Sequence, residues 1–347
     1  MIKRVALAPI SYLYLAVVKL RHYLFDHSFL KSERFTTPII CVGNITVGGT
    51  GKSPMSELLL SHLIGSGRNV ALLSRGYGRK NRGYVEVCSF DNYLMVGDEP
   101  LQMKRKFHDA VVVVCERRVE GVRRILSEHP DVEVIVMDDG FQHRHITPRA
   151  NIIMVDATRP IDRDMPLPSG SLRDTTSSLK RADIFIVTKC PDSMGDEEME
   201  RIERSLLCRE GQTIYFTQIE TLDPRGALPE ACESLADGAE VIALSGIANP
   251  KPFVEMLHSR YRVVEELIYG DHHRYTPQDT ERLSEVLTRH PKAVIITTEK
   301  DSVKFLLIKE IDSKIKERLY YTPIKMRFIR GEESELLKKI DSYVGEN

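Results

Sequence analysis

The chain has 347 residues, 42% hydrophobic and 29% charged, with a formal net charge of −1. That length accommodates about two domains and a sizeable core, and the near-neutral balance removes the global basic field that nucleic acid would call for. Six scattered cysteines (Cys41, Cys88, Cys115, Cys190, Cys208 and Cys232) form no CxxC pair, which argues against a disulfide framework or a zinc site and fits a reducing cytoplasm.

The first element is an apolar stretch at 5–18, broken only by Ser11, with Tyr12 and Tyr14 inside it. Lys3 and Arg4 precede it, and Lys19, Arg21 and His22 follow. A helix that crosses a bilayer needs about 20 apolar residues, and no small-residue cleavage site follows. Two readings stand: a helix lying on an anionic membrane surface, or a helix packed on the core. Pro9 is expected to begin or break it near its start.

From residue 38 onward, short β-rich runs alternate with amphipathic segments. Strands are expected at 38–42, 70–74, 110–115, 132–137, 151–155 and 183–188, and helices at 53–66, 99–107, 117–128 and 196–207. Near-continuous Val/Ile runs between helices indicate a parallel sheet covered on both faces, with ligands beyond the C-terminal ends of its strands. Residues 222–229, rich in Pro and Gly, read as a linker. A smaller α/β unit follows, with strands at 241–244, 262–269 and 293–297 and helices at 250–259 and 277–290. Segments 213–218 and 319–328 flank this unit and are expected to pair as a two-stranded connector.

The chemistry concentrates in six motifs. Gly43-Asn-Ile-Thr-Val-Gly-Gly-Thr-Gly-Lys-Ser53 follows a strand and opens a helix. Such glycines let backbone amides turn toward a phosphate, lysine reaches the outer phosphates, and serine offers a hydroxyl to Mg²⁺. The strict pattern wants glycine at position 46, where this chain has Thr46. An apolar strand then ends in Asp138 and Asp139, the arrangement that holds Mg²⁺ beside a phosphate loop. Gln142, His143 and His145 follow directly: hydrogen bonding that shapes the loop is the first reading, with the two histidines as a transition-metal pair or Gln142 positioning a water for hydrolysis as the alternatives. Asp98 and Glu99 precede a helix, as an N-terminal cap or as a base and metal ligand. Arg75, Arg117, Arg118 and Arg173 follow strands or sit in polar loops, as surface ion pairs or as neutralisers of phosphoryl charge. His272 and His273 follow a strand of the smaller unit.

Together these segments resemble the tetraacyldisaccharide 4′-kinase (lipid A 4′-kinase) family. The resemblance runs over most of the chain, through Val42–Pro54, Ser74–Arg79, Gly97–Pro100, Asp138–His143, Leu167–Arg173, Gly246–Pro250, Asp271–His273 and Thr298–Asp301. Thr46 is itself part of the family pattern. The resemblance implies a P-loop NTPase-like parallel sheet covered by helices, with a second, smaller α/β domain and a two-stranded connector. The divisions expected are 1–30 (membrane-associating helix), 31–211 (kinase core), 212–222 (connector strand), 223–318 (smaller domain) and 319–347 (connector strand and C-terminal helix). It implies ATP-dependent phosphorylation of the 4′-hydroxyl of a tetraacyldisaccharide 1-phosphate to give lipid IVA, with ATP and Mg²⁺, at the cytoplasmic face of the inner membrane. The expected partners are the lipid disaccharide and the membrane surface, with no nucleic acid.

By position, the resemblance gives Thr46, Val47, Gly48, Gly49, Thr50, Gly51, Lys52 and Ser53 as the nucleotide loop. Ser53, Glu99, Asp138 and Asp139 are the metal-side oxygens. Asp98 is the base paired with His272, and Lys52, Arg118 and Arg173 stabilise charge. Two positions depart from the family: Asp174 stands where Glu is usual, and Ser171 where proline is common. The alternative reading is a nucleotide-hydrolysing switch or assembly protein that uses Gln142.

Overall fold

The computed structural model describes residues 2–206, 209–231, 235–305, 308 and 311–345. Cys208, Cys232 and the last residue of the helix expected to 207 lie outside the described residues. In chain order the first elements are α1 (Ile2–Asp26), β1 (Ile39–Gly43), α2 (Lys52–Gly65), β2 (Val70–Ser74), β3 (Val85–Glu86), α3 (Tyr93–Val96), α4 (Asp98–Lys106) and β4 (Val111–Val114). Next come α5 (Arg118–Glu128), β5 (Val134–Asp138), β6 (Ala150–Asp156), β7 (Ile184–Thr188), α6 (Asp196–Ser205), β8 (Thr213–Thr221), β9 (Arg225–Gly226) and β10 (Glu240–Ser245). The chain ends with α7 (Lys251–Arg260), β11 (Arg262–Ile268), α8 (Pro277–Arg289), β12 (Val294–Thr298), α9 (Glu299–Phe305), α10 (Ser313–Lys316), β13 (Leu319–Thr322), β14 (Ile324–Phe328) and α11 (Glu333–Val344).

The larger sheet has nine strands in the order β14-β8-β7-β6-β1-β5-β2-β4-β3. Its inner seven strands are parallel, and β14 and β3 close the edges antiparallel. Strands β1, β2, β5 and β7 are buried along their whole length, because helices cover both faces. Leu59 and Leu63 of α2, Leu101 of α4 and Leu336 of α11 pack on one face. Val122 of α5 and Met199 of α6 pack on the other. The parallel order places the ends of β1, β5, β6 and β7 along one edge of the sheet, where the phosphate loop and the acidic strand end meet.

The smaller sheet runs β11-β10-β12-β13-β9. Leu283 and Leu287 of α8 fill one side and Leu257 of α7 the other. The segment expected as one strand at 319–328 is two strands divided at Pro323. Leu319–Thr322 extends the smaller sheet beside β12, and Ile324–Phe328 pairs with β8. Proline has no amide to continue a ladder, and its carbonyl accepts the Leu222 amide at 2.8 Å. Segment 222–229 is not only a linker, since Arg225–Gly226 pairs antiparallel with Tyr320–Tyr321. Helix α9 joins the two cores, with Val303 in the larger and Phe305 in the smaller.

Helix α1 is longer than the apolar stretch suggested. It runs for 25 residues and carries Pro9 inside, which removes one amide from the ladder without ending it. At 1.5 Å per residue it is about 37 Å long. Near its end it buries Phe25, and its other inward contacts include a row of polar ones. Ser11 Oγ donates to Ser169 Oγ at 2.8 Å, and Tyr14 OH to the Arg173 carbonyl at 2.9 Å. Arg21 donates to the Gln142 carbonyl at 2.8 Å, and His22 Nε2 lies 2.6 Å from Asp174 Oδ1. Its outward face holds Ile10, Tyr12, Leu13, Val17, Leu20 and Tyr23, all exposed. That is the reverse of an ordinary surface helix, which turns its apolar stripe to the core. Among the described residues no helix is long and apolar enough to cross a membrane.

Candidate active site

Strand β1 delivers the phosphate loop. At Gly43 a Cβ would stand 2.5 Å from Phe141 Cβ, so only glycine lets β1 end against the segment after β5. At Gly51 the backbone is left-handed (φ +87°) and turns directly into α2 at Lys52. The amides of that first turn have no helical partner and favour an anion. The loop is braced from outside. Thr188 Oγ1 donates to the Thr50 carbonyl at 2.9 Å, Lys189 to the Gly49 carbonyl, and Arg159 to the Val47 carbonyl at 3.3 Å. Lys189 and Arg159 share Asp156, at 2.7 and 3.1 Å. Peptides whose carbonyls are tied outward turn their amides the other way, toward the space the loop encloses. Thr46 is buried and bridges to Leu172, with the Val47 amide donating to the Ser171 carbonyl at 2.8 Å. Val47 and Gly48 form the tip, with Gly49 and Thr50 leading back to the helix.

The acidic end of β5 lies beside Lys52. Asp139, itself left-handed at φ +49°, is clasped by the Arg173 guanidinium, with one bond of 3.1 Å, and by Lys52 Nζ at 3.5 Å. Burial alone would raise this carboxyl, but the Arg173 hydrogen bonds and the Lys52 charge outweigh it and hold it well below the usual range. Asp138 is the opposite case. Its Oδ2 accepts from Ser74 Oγ at 3.3 Å, while its buried Oδ1 has no partner. Burial first, then the charges of Glu99 and Asp139, push it up to about 6. Ser53 Oγ donates to Glu99 Oε2 at 3.2 Å. A hydroxyl, carboxylates and an orphaned buried oxygen form the hard-oxygen donor set that suits a divalent cation.

Arg118 stands behind this edge. It is 2% exposed and donates to the carbonyls of Cys115 and Asp138, the latter at 3.3 Å. Arg173, by contrast, faces the loop and also donates to Asn44 Oδ1, whose own amide donates to Thr50 Oγ1 at 2.7 Å.

Across the cleft, Asp98 opens α4 and is buried. Its Oδ2 lies 3.0 Å from His272 Nδ1, on the loop after β11, and 3.9 Å from both Lys300 Nζ and Lys304 Nζ. Burial opposes its charge, but the His272 hydrogen bond and the two lysines outweigh burial and lower its pKa. The same hydrogen bond raises that of His272, whose backbone is left-handed at φ +55°. His273 turns away: it stacks on Tyr269 at 4.1 Å and reaches Asp279 at 3.1 Å.

Other expected residues take quieter places. The Gln142 amide donates to the Asn44 carbonyl at 2.7 Å, which commits it to bracing the loop. His143 lies 5.7 Å from His145, ring to ring, and burial pushes it down to about 4. Among the described residues, the three His, Cys, Asp or Glu side chains whose ligand atoms already lie within 4.8 Å of one another are Glu86, Glu128 and His129, which include neither of those histidines. Asp174 belongs to the seat of α1 through His22 and Arg181. Ser171 donates from its amide to Asp164 at 3.1 Å, which a proline there would not. Sequence reasoning gave no role to Lys300, Lys304, Asp156 or Lys189. Thr298–Asp301 stood out as a motif, but only the fold shows that it faces Asp98.

A parallel sheet, a glycine loop ending in Lys-Ser at a helix N-terminus, and paired acids at the neighbouring strand end define a P-loop nucleotide-binding protein. The family model for tetraacyldisaccharide-1-P 4′-kinase matches residues 3–344. The chain belongs to that family and is a kinase of lipid A biosynthesis. It is 36% identical to the tetraacyldisaccharide 4′-kinase of Phocaeicola vulgatus over 349 residues, covering 98% of this chain and 95% of the relative. It is 37% identical to that of Parabacteroides distasonis, covering 97% and 95%. Among solved structures it is similar to LpxK from Aquifex aeolicus in complex with ATP, with a TM-score of 0.74, 28% identity and 99% of each chain covered.

Proposed function

We propose that Asp98, oriented by His272, accepts the proton of the acceptor hydroxyl while the loop from Thr46 to Ser53 holds ATP. The reaction is the ATP-dependent phosphorylation of the 4′-hydroxyl of tetraacyldisaccharide 1-phosphate, which gives lipid IVA. The observation that carries the residue assignment is the 3.0 Å contact between Asp98 and His272, made across the two sheets. Asp98 joins the loop side through Glu99, whose amide donates to Asp98 Oδ1 at 3.0 Å and whose carboxylate accepts from Ser53. A base so placed stands within one side chain of the phosphate-binding helix start, as an in-line transfer requires. A carboxylate held below its usual pKa is ionised at neutral pH and free to accept.

Lys52 and Arg173 supply positive charge to the phosphoryl group in flight. Arg118 acts from behind, fixing the Asp138 carbonyl and with it the strand end. Ser53, Glu99, Asp138 and Asp139 would hold Mg²⁺, which when bound neutralises the β- and γ-phosphate oxygens. The outward apolar face of α1 lies on the membrane surface, a peripheral attachment at the cytoplasmic face of the inner membrane that brings the lipid acceptor to the cleft. The two sheets support a division into an N-terminal helix, a kinase core and a smaller α/β domain, with β8 and β14 as part of the larger sheet and β13 of the smaller. ATP labelled at the γ-position, mixed with the lipid disaccharide, tests the reading: label should appear in the lipid. Label released only as free phosphate would leave the switch reading instead.

A further inference from the structure

Lys300 sits at the centre of the charged cluster, and the reaction outlined above does not use it. Its Nζ lies 3.0 Å from Glu99 Oε1, 3.4 Å from His272 Nε2 and 3.9 Å from Asp98 Oδ2. It is the second residue of α9, the helix rooted in both cores. On the same turn, Glu299 lies 3.4 Å from Lys106, which also holds Glu57 at 2.6 Å. Lys304 and Asp301, 1% and 0% exposed at their side chains, form a buried pair at 2.7 Å. Asp301 Oδ2 accepts from the Gly246 amide at 2.8 Å, and the Gly246 carbonyl accepts from the His272 amide at 3.0 Å. Lys300 and His272 are thus fixed to one another through Asp301, and both face α4.

We propose that Lys300 is a positioning residue for phosphoryl transfer, holding Asp98, Glu99 and His272 in the arrangement that meets the acceptor hydroxyl. The assignment rests on the kinase reading above. An ammonium has three donors and no acceptor. It therefore separates two adjacent carboxylates that would otherwise repel. It also selects one tautomer of a neutral His272, with hydrogen on Nδ1 toward Asp98 and the Nε2 lone pair toward Lys300. Methionine at 300 keeps the length of the stem and deletes the charge, and arginine restores the charge with a different head.

Steady-state transfer from labelled ATP to the lipid disaccharide, measured on the full chain, tests this. Lys300→Met should lower kcat about 100-fold, the loss typical of a misplaced reacting group, with the KM for ATP within threefold. Lys300→Arg should recover at least tenfold of that loss. In an Asp98→Asn background, Lys300→Met should cost less than tenfold further, because its part in placing Asp98 is already lost and only Glu99 and His272 remain to be held. Lys300→Met turnover within threefold of the unaltered chain would overturn the proposal. So would losses that multiply in the double variant, as a separate structural role would produce. Failure of the unaltered chain to label the lipid would overturn the kinase reading itself, whereas normal labelling by Lys300→Met overturns the Lys300 assignment alone.

Discussion

Replacing Asp138 by asparagine should make the metal-free protein more stable at neutral pH while removing its turnover. Asp138 is buried, one of its oxygens has no partner, and its pKa is pushed up from the ordinary 3.8 to about 6. A carboxyl that holds its proton more tightly folded than unfolded stabilises the fold at low pH and withdraws that support as pH rises. Between about pH 4 and pH 6 the unfolding free energy therefore falls by up to about 3 kcal/mol from this group. Asparagine has the same shape and no charge to bury. Its amide must still find an acceptor, and Ser74 Oγ at 3.3 Å from Oδ2 is the near one. Allowing about 1–2 kcal/mol for an imperfect amide bond, a gain of about 1–2 kcal/mol remains at pH 7.5. Urea unfolding in EDTA at pH 4.5, 6 and 7.5 measures it: the variant should gain on the unaltered chain as pH rises. Mg²⁺ with ATP should then stabilise the unaltered chain by mass action and leave the variant behind. A variant less stable than the unaltered chain at pH 7.5 in EDTA, or one with full turnover, would refute the reasoning.

Asp98→Asn should lower kcat by about 10²–10⁴ and leave the KM for ATP within a few-fold, since Asp98 reaches the loop through Glu99; an equal loss of ATP affinity would contradict its proposed role as base. In the same variant the His272 imidazole should titrate lower, because the Asp98 hydrogen bond is the largest cause of its raised pKa. In the unaltered chain the stability from protonated His272 is full below about pH 6.5 and is lost as pH rises through its folded pKa. NMR titration of the ring reads both effects, and an unchanged titration would break the pair. Lys52→Met should raise the KM for ATP and cut kcat together, and it should free Asp139 from one of its two cations; kinetics at fixed lipid concentration checks it. Leu13→Glu with Val17→Glu should abolish sedimentation with anionic vesicles and raise the KM for the lipid, with little change in melting temperature, because both side chains are largely exposed, 68% and 59%. Retained vesicle binding would remove α1 as the attachment surface.

The larger sheet was readable because its central strands are buried on both faces. Val111–Val114 and Ile184–Thr188 are continuous apolar runs with one interpretation each. The segment 319–328 was not, since alternation alone cannot say which sheet each half joins. The answer depends on Pro323, whose missing amide matters only once both neighbours are in place. Helix α1 was legible in composition and ambiguous in orientation. Its polar residues look like interruptions of an apolar stretch until Ser169, Arg173 and Asp174 are seen to receive them. The loop residues from Thr46 to Ser53 announced themselves by type. Asp98 did not, because an acid before a helix is an ordinary cap, and only the approach of His272, 174 residues away, separates the two readings. Lys300 and Lys304 were least visible of all: lysine on a helix is by default solvated, and their burial is a property of the junction.

The junction also bears on how such an enzyme turns over. The cleft is closed by Lys300 on Glu99, Lys106 on Glu299, His272 on Asp98 and Lys304 near Asp98. The seam has an apolar part too, with Val303 of α9 set into the core that holds Leu101 of α4. A closure made of exchangeable ion pairs suits a site that must exclude water around the γ-phosphate and then release a lipid. Glu99, which faces Lys300 here, is one of the acids proposed to face the metal side once nucleotide binds. The incoming charge therefore competes with contacts already present rather than meeting bare carboxylates. Glu99 is the pivot of that exchange, since among the described residues it touches both Ser53 of the loop and Lys300 of the opposite unit.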